Sequence, residues 1–139
     1  GGVFLCMKHQ LPVMTAQGGG AIVNTSSVAG LGSAPLLAAY AAAKHAVIGM
    51  TKTAADEYAR HKVRVNAICP SFTDTPMADA LRGDFGGGPE VDPKFLGRIP
   101  MRRVAEPEEI VQAMLWAADP ENSFMTGQAI AIDGGLTAI

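Results

Sequence analysis

Cysteine is scarce, blocks of like charge are missing and no long apolar run occurs, and each shortage excludes a class of protein. The 139 residues hold two cysteines, Cys6 and Cys69, with neither a Cys-x-x-Cys pair nor clustered histidines beside them. Such a pair builds neither a disulfide framework nor a common zinc site, so no metal is expected and a reduced, cytoplasmic setting is. Eleven Lys+Arg against thirteen Asp+Glu give a formal net charge of -2. That balance lays down no electrostatic footprint for DNA or RNA, so nucleic acid is not an expected partner. Lys8, His9, Asn24, Lys44 and Arg64 interrupt every candidate for the roughly 18 apolar residues that a membrane span needs. The first residues show no basic leader or small-residue cleavage site, and Gly1 stands where an initiator methionine would. The expectation is a chain that begins inside a longer protein.

What is present is apolar enough to build a core: 48% of residues are hydrophobic, too many for a disordered segment. Phe4, Leu5, Met7, Leu11 and Met14 follow a helical spacing from Val3 to about Thr15, with Pro12 as an interruption. Gln17-Gly18-Gly19-Gly20 stops that helix, and Ala21 to Thr25 reads as a short buried strand. After a polar Ser26-Ser27 loop, the Ala-rich segment from Leu36 to about Arg60 predicts a long helix. Lys62 to Cys69 reads as a second strand, closed by Pro70. Prolines and glycines then crowd the stretch between Ser71 and Arg103, the pattern of an irregular excursion with short helical pieces. Glu106-Pro107-Glu108-Glu109 opens a helix to about Ala118, with acidic residues at its positive end. Gln128 to Asp133 is the last strand. This order is that of a single α/β unit with a parallel sheet and right-handed crossovers.

Tyr40 and Lys44 lie four apart on the long predicted helix, so their side chains share a face. An ammonium beside a phenol favours the phenolate and brings a tyrosine closer to proton transfer at neutral pH. Alone, the pair fits a core-facing Tyr with a snorkelling Lys better than it fits proton transfer. Ser27 lies just past the C-terminal end of a predicted strand, where open α/β sheets collect ligands, although Ser26-Ser27 before a glycine-containing loop also fits a plain turn. Pro70 to Pro76 stands at the end of the next strand, on the same sheet edge. Three polar groups would converge there.

Together these motifs resemble the short-chain dehydrogenase/reductase family over essentially the whole chain. The resemblance rests on Ile22 to Ser27, the thirteen-residue step to Tyr40, Tyr40-Ala41-Ala42-Ala43-Lys44, Arg64-Val65-Asn66-Ala67, Pro70 to Thr75, and Thr126-Gly127-Gln128 through Asp133-Gly134-Gly135. It implies the C-terminal, catalytic half of a Rossmann-like, doubly wound sheet. It also implies an NAD- or NADP-dependent oxidoreductase moving hydride between the nicotinamide and a carbonyl or secondary alcohol carbon. In that role Tyr40 is the acid/base, Ser27 holds the reacting oxygen, and Lys44 attends Tyr40 and the nicotinamide ribose. Pro70, Thr73 and Thr75 belong to the loop that meets the nicotinamide and phosphates, while Asn66 and Asp133 are structural.

The sequence departs from the family in three places. Ser71 replaces the usual glycine after Pro70, no Gly-x-x-x-Gly-x-Gly turn cradles a pyrophosphate, and the family's catalytic asparagine would fall just before Gly1. Residues of about 76–101 correspond to the family's substrate loop, with Met77, Leu81, Phe85, Phe95, Leu96 and Ile99 as apolar lining for a small, largely apolar or alicyclic alcohol or ketone. The competing readings are a truncated, non-catalytic chain that survives through partner subunits, and, ranked lower, an extended sugar-nucleotide epimerase. His9, His45 and His61 read as incidental. Family members commonly pair through the long helix, so a homo-oligomer is implied, and the isolated chain is expected to be poorly soluble or oligomeric.

Overall fold

The structure, a computed structural model, describes residues 1–76 and 96–138. Helix α1 (Gly2–Gln17) leads to strand β1 (Gly20–Thr25), a 3-10 turn (Val28–Gly30), helix α2 (Ala38–Tyr58), strand β2 (Val63–Pro70), helix α3 (Pro107–Ala118) and strand β3 (Ala129–Ile132). The sheet order is β1-β2-β3 and both pairings are parallel, as the α/β reading expected. Register is set by Ile22 opposite Val65 and Ile68 opposite Ile130.

Strand β2 is central and almost wholly buried, which explains its near-continuous apolar run. On one face Val63 and Val65 pack with Ile22, Met7 and Leu11 of α1, and Ala54 and Ala55 of α2. On the other, Ile68 packs with Ile110 and Ala117 of α3. Helices therefore cover both faces. Buried polar groups are bonded across these layers: Asn24 Nδ2 donates to Thr51 Oγ1 at 2.9 Å, and Asn66 takes the Gln128 amide and gives to the Met125 carbonyl, both at 3.0 Å. Asn66 is thus structural, as expected.

Element ends differ from the sequence reading by a few residues, each for a local reason. Helix α1 runs through Pro12, which forfeits one i→i−4 bond without ending the helix, and stops at Gly18 in the left-handed conformation. Helix α2 begins at Ala38 because Leu36 holds a φ of 66° in the turn before it. Lys62, expected in β2, takes a φ of 60° as the turn into the strand. Helix α3 starts with Pro107 at its first turn, and the Glu109 carboxylate receives the Glu106 amide at 2.8 Å. Among the described residues no helix is long and apolar enough to cross a membrane.

Candidate active site

Parallel pairing puts the C-terminal ends of all three strands at one edge, and the segments leaving that edge carry the residues singled out above. Ser27 follows β1 directly. Its backbone is extended, and its Oγ accepts the Ala29 amide at 3.1 Å, capping the 3-10 turn. One lone pair is thereby used, and among the described residues no acceptor for the hydroxyl proton is seen. Ser27 is 9% exposed.

Tyr40 and Lys44 lie in the first two turns of α2. Tyr40 is 39% exposed, an unusual position for a core-filling tyrosine, so the plain packing alternative does not describe it. Lys44 is half-buried; its Nζ stands 5.5 Å from the Tyr40 ring centroid and donates to the Thr25 carbonyl at 3.1 Å. Two further ammonium protons remain for other acceptors. The loop around Ser27 and the helix around Lys44 are pressed together. Ser26 Oγ donates to the Lys44 carbonyl at 2.9 Å, and a Cβ on Gly30 would stand 2.6 Å from Ser26 Oγ and 2.8 Å from Lys44 O. Only glycine fits there without displacement. Sequence reading treated Ser26 as turn and did not weigh Gly30; the serine doublet followed by a glycine three residues after Ser27 is the signal that was available.

Pro70 ends β2 opposite Ile132, and the Ser71 amide continues the ladder to the Ile132 carbonyl at 3.2 Å. Ser71 therefore occupies the position of the usual glycine in a strand-like path that any residue follows. Thr73 pairs in parallel with Ala105: the Asp74 amide gives to the Ala105 carbonyl and the Ala105 amide to the Phe72 carbonyl, both at 2.9 Å. Thr73's own amide and carbonyl consequently face the other way, where its carbonyl receives Thr75 Oγ1 at 3.4 Å. Cys69, at the buried end of β2, has its thiol pushed up by burial, against the opposing pull of the Ser26 hydroxyl, the Ser27 amide and the Lys44 charge. It stands as an inert core thiol behind the serine doublet.

Met77, Leu81, Phe85 and Phe95 of the expected substrate loop lie outside the described residues. Leu96 is half-buried, and Ile99 is 1% exposed, packed under the Gly134 turn. Ile99 thus anchors the end of the excursion. Beside it an open cavity of about 330 Å³ is lined by Ser71, Met101, Arg103, Ile132 and Gly134 among others. Asp133 closes β3: burial pushes its carboxyl up, but bonds from Thr137 and the Gly135 amide outweigh that and hold it low, in the structural role expected. Among the described residues no group of three or more His, Cys, Asp or Glu could hold a metal ion.

Known proteins resemble this chain over nearly its whole length. Residues 1–137 match the family described as enoyl-(acyl carrier protein) reductase. The chain is 44% identical over 140 residues to a 2,5-dichloro-2,5-cyclohexadiene-1,4-diol dehydrogenase of Sphingobium indicum, covering 99% of this chain and 54% of that protein. It is 46% identical over 136 residues to a 3-oxoacyl-(acyl-carrier-protein) reductase of Thermotoga maritima, covering 97% and 52%. Among solved structures, levodione reductase superposes with a TM-score of 0.93 at 35% identity, covering 99% of this chain and 54% of that one. ElxO with NADP bound superposes at 0.89 and 32% identity, with the same coverage. The chain spans about half the length of the curated relatives it matches.

Proposed function

We propose, for a chain that belongs to the short-chain dehydrogenase/reductase family, that its site interconverts a secondary alcohol and a ketone by hydride transfer to or from NAD or NADP. The observation that carries this reading is the seam between β1 and α2, where Ser27, Tyr40 and Lys44 are held at the C-terminal edge of the sheet by the Lys44 Nζ to Thr25 carbonyl bond. The residues present fit the nicotinamide end of a dinucleotide. Lys44 keeps two donors for ribose hydroxyls, and Thr73 presents an amide and a carbonyl on the side away from its Ala105 pairing. A Gly-x-x-x-Gly-x-Gly pyrophosphate turn is not among these 139 residues. When bound, the dinucleotide supplies the hydride acceptor or donor at nicotinamide C4.

The chain's own residues handle the proton and the oxygen. Ser27 Oγ, with its second lone pair and its proton uncommitted among the described residues, holds the substrate oxygen against Tyr40. Tyr40 Oη takes the hydroxyl proton in oxidation and returns it to the nascent alkoxide in reduction, with the Lys44 ammonium supplying the nearby positive charge. For substrate we propose a small alicyclic alcohol or ketone. Support comes from the apolar residues of 76–101 and from relatives named as a cyclohexadiene-diol dehydrogenase and a cis-4-hydroxycyclohexanecarboxylate dehydrogenase. The exposed small residues Ala39, Ala42, Ala43 and Ala46 on α2 support close helix packing in a homo-oligomer. A second reading, that these 139 residues alone do not turn over, is favoured by β1, which pairs on one edge only among the described residues.

The test is fluorescence titration with NADH and NADPH and turnover of a panel of alicyclic secondary alcohols. It uses the natural gene product, including any residues flanking these 139. Tyr40→Phe is expected to keep dinucleotide binding and to lose turnover by about 100-fold or more. Turnover by Tyr40→Phe within twofold of wild type would refute the assignment.

A further inference from the structure

Ser26 takes no part in the steps above, yet it is more deeply placed than the serine that does: 3% exposed against 9% for Ser27. Its amide extends the β1–β2 ladder by giving to the Ile68 carbonyl at 2.8 Å. Its hydroxyl crosses to the neighbouring helix and gives to the Lys44 carbonyl at 2.9 Å. Lys44 answers from its side chain, with Nζ on the Thr25 carbonyl at 3.1 Å. Residues 25 and 26 are therefore tied to the side chain and the backbone of one residue, a single helical turn beyond Tyr40.

Packing alone would not require a hydroxyl at this place, since an alanine would fill most of the same volume. A hydrogen bond adds direction. It also fixes a distance, and the distance fixed is the one between the two halves of the site. Gly30 marks how closely that distance is kept: its missing side chain leaves the loop lying directly on Ser26 Oγ and the Lys44 carbonyl. The loop and the helix can neither separate without breaking the Ser26 bond nor approach without a clash.

Resting on the dehydrogenase reading, we propose that Ser26 is a positioning residue whose hydroxyl bond to the Lys44 carbonyl sets the separation of Ser27 from the Tyr40–Lys44 turn of α2. Misplacement by about an ångström costs on the order of 100-fold in rate when reacting groups must be aligned, so a modest loosening is readable in kcat.

The experiment compares wild type, Ser26→Ala, Ser26→Cys and Tyr40→Phe in the natural gene product, with kcat, KM for the alcohol, dinucleotide Kd and circular dichroism measured for each. Ser26→Ala is expected to lower kcat about tenfold or more, with dinucleotide Kd within about twofold and secondary structure unchanged. Ser26→Cys, whose thiol keeps a weak donor, is expected to recover part of that loss. A Ser26→Ala kcat within twofold of wild type overturns the proposal, and so does a fall in kcat and dinucleotide affinity together that Ser26→Cys does not relieve. If Ser26→Ala does not fold, Ser26→Cys decides by itself: a kcat lowered about threefold at unchanged Kd supports the proposal, and an unchanged kcat overturns it. Tyr40→Phe separates the two layers of the argument. An active Tyr40→Phe removes the dehydrogenase reading and this proposal with it, whereas an inactive Tyr40→Phe beside a fully active Ser26→Ala removes this proposal alone.

Discussion

Replacing Arg64 by methionine is expected to destabilise the protein by about 3 kcal/mol. The half-buried Arg64 leaves β2 toward the end of α3, where its guanidinium gives to the carbonyls of Ala117 at 2.9 Å, Ala118 at 3.1 Å, Asp119 at 2.9 Å and, more weakly, Met125 at 3.4 Å. The first of these belong to the last turn of the helix, whose carbonyls have no partner within the helix itself. Three short bonds at about 1 kcal/mol net each give the estimate, and the attraction of a cation for a helix C-terminus adds about 0.3–1 kcal/mol more. Water that enters once the guanidinium is gone returns a part of this. Methionine keeps the aliphatic stem, so the loss reports the polar head. In a domain of about 150–250 residues, 3 kcal/mol lowers the melting temperature by about 6–12 °C. The assay is urea and thermal unfolding of the natural gene product, with Arg64→Lys as the intermediate case because it keeps the charge and loses the planar fork. A loss under about 1 kcal/mol for Arg64→Met would refute the idea that this side chain caps α3.

Two further outcomes follow from the packing around Gly30 and from one ion pair. Gly30→Ala would place a Cβ 2.6 Å from Ser26 Oγ and 2.8 Å from the Lys44 carbonyl, both in a buried seam; a destabilisation of about 1–3 kcal/mol is expected in urea melts, and a neutral effect would show that the seam is slack. The Arg103 guanidinium, 2.7 Å from both carboxylate oxygens, and the Glu106 amide hold the Glu109 carboxyl at about 2, below its ordinary 4.5. A folded value below the unfolded one stabilises above about 4.5, and this contribution is lost as pH falls through about 2. Carbon-detected NMR titration of Glu109 should therefore show no midpoint near 4.5, and a midpoint there would mean the ion pair is open in solution.

The strand and helix order was legible because the apolar periods are clean: β2 reads as a largely apolar run, interrupted by Arg64 and Asn66, since both its faces are covered, and the proline-led, acid-rich start of α3 marks its own beginning. What stayed hidden was backbone sign and side-chain reach. Nothing about leucine suggests that Leu36 takes a φ of 66°, and nothing about lysine places Lys62 in a left-handed turn, because both residues favour helices and tertiary packing selects the turn. At the site, the spacing of Ser27, Tyr40 and Lys44 singled out three side chains but not the contacts around them. The bond from Ser26 to the Lys44 carbonyl joins residues 18 apart through a backbone atom, and a backbone acceptor leaves no trace in residue type. Arg64 likewise appears in the sequence as one more charge, since the carbonyls it binds lie more than 50 residues away.

The pairing of Thr73 with Ala105 separates what must stay fixed from what is free to diverge. In sequence, residues 77–95 fall between Thr73 of that pairing and the Ile99 anchor beneath Gly134, while among the described residues the hydrogen bonds of the Ser26, Ser27 and Lys44 side chains are made with other segments. A new length or composition can be inserted between those two points with its ends already fastened. Evolution, or a protein engineer, could exchange that stretch as a cassette and leave the contacts around Ser27 and Lys44 unchanged.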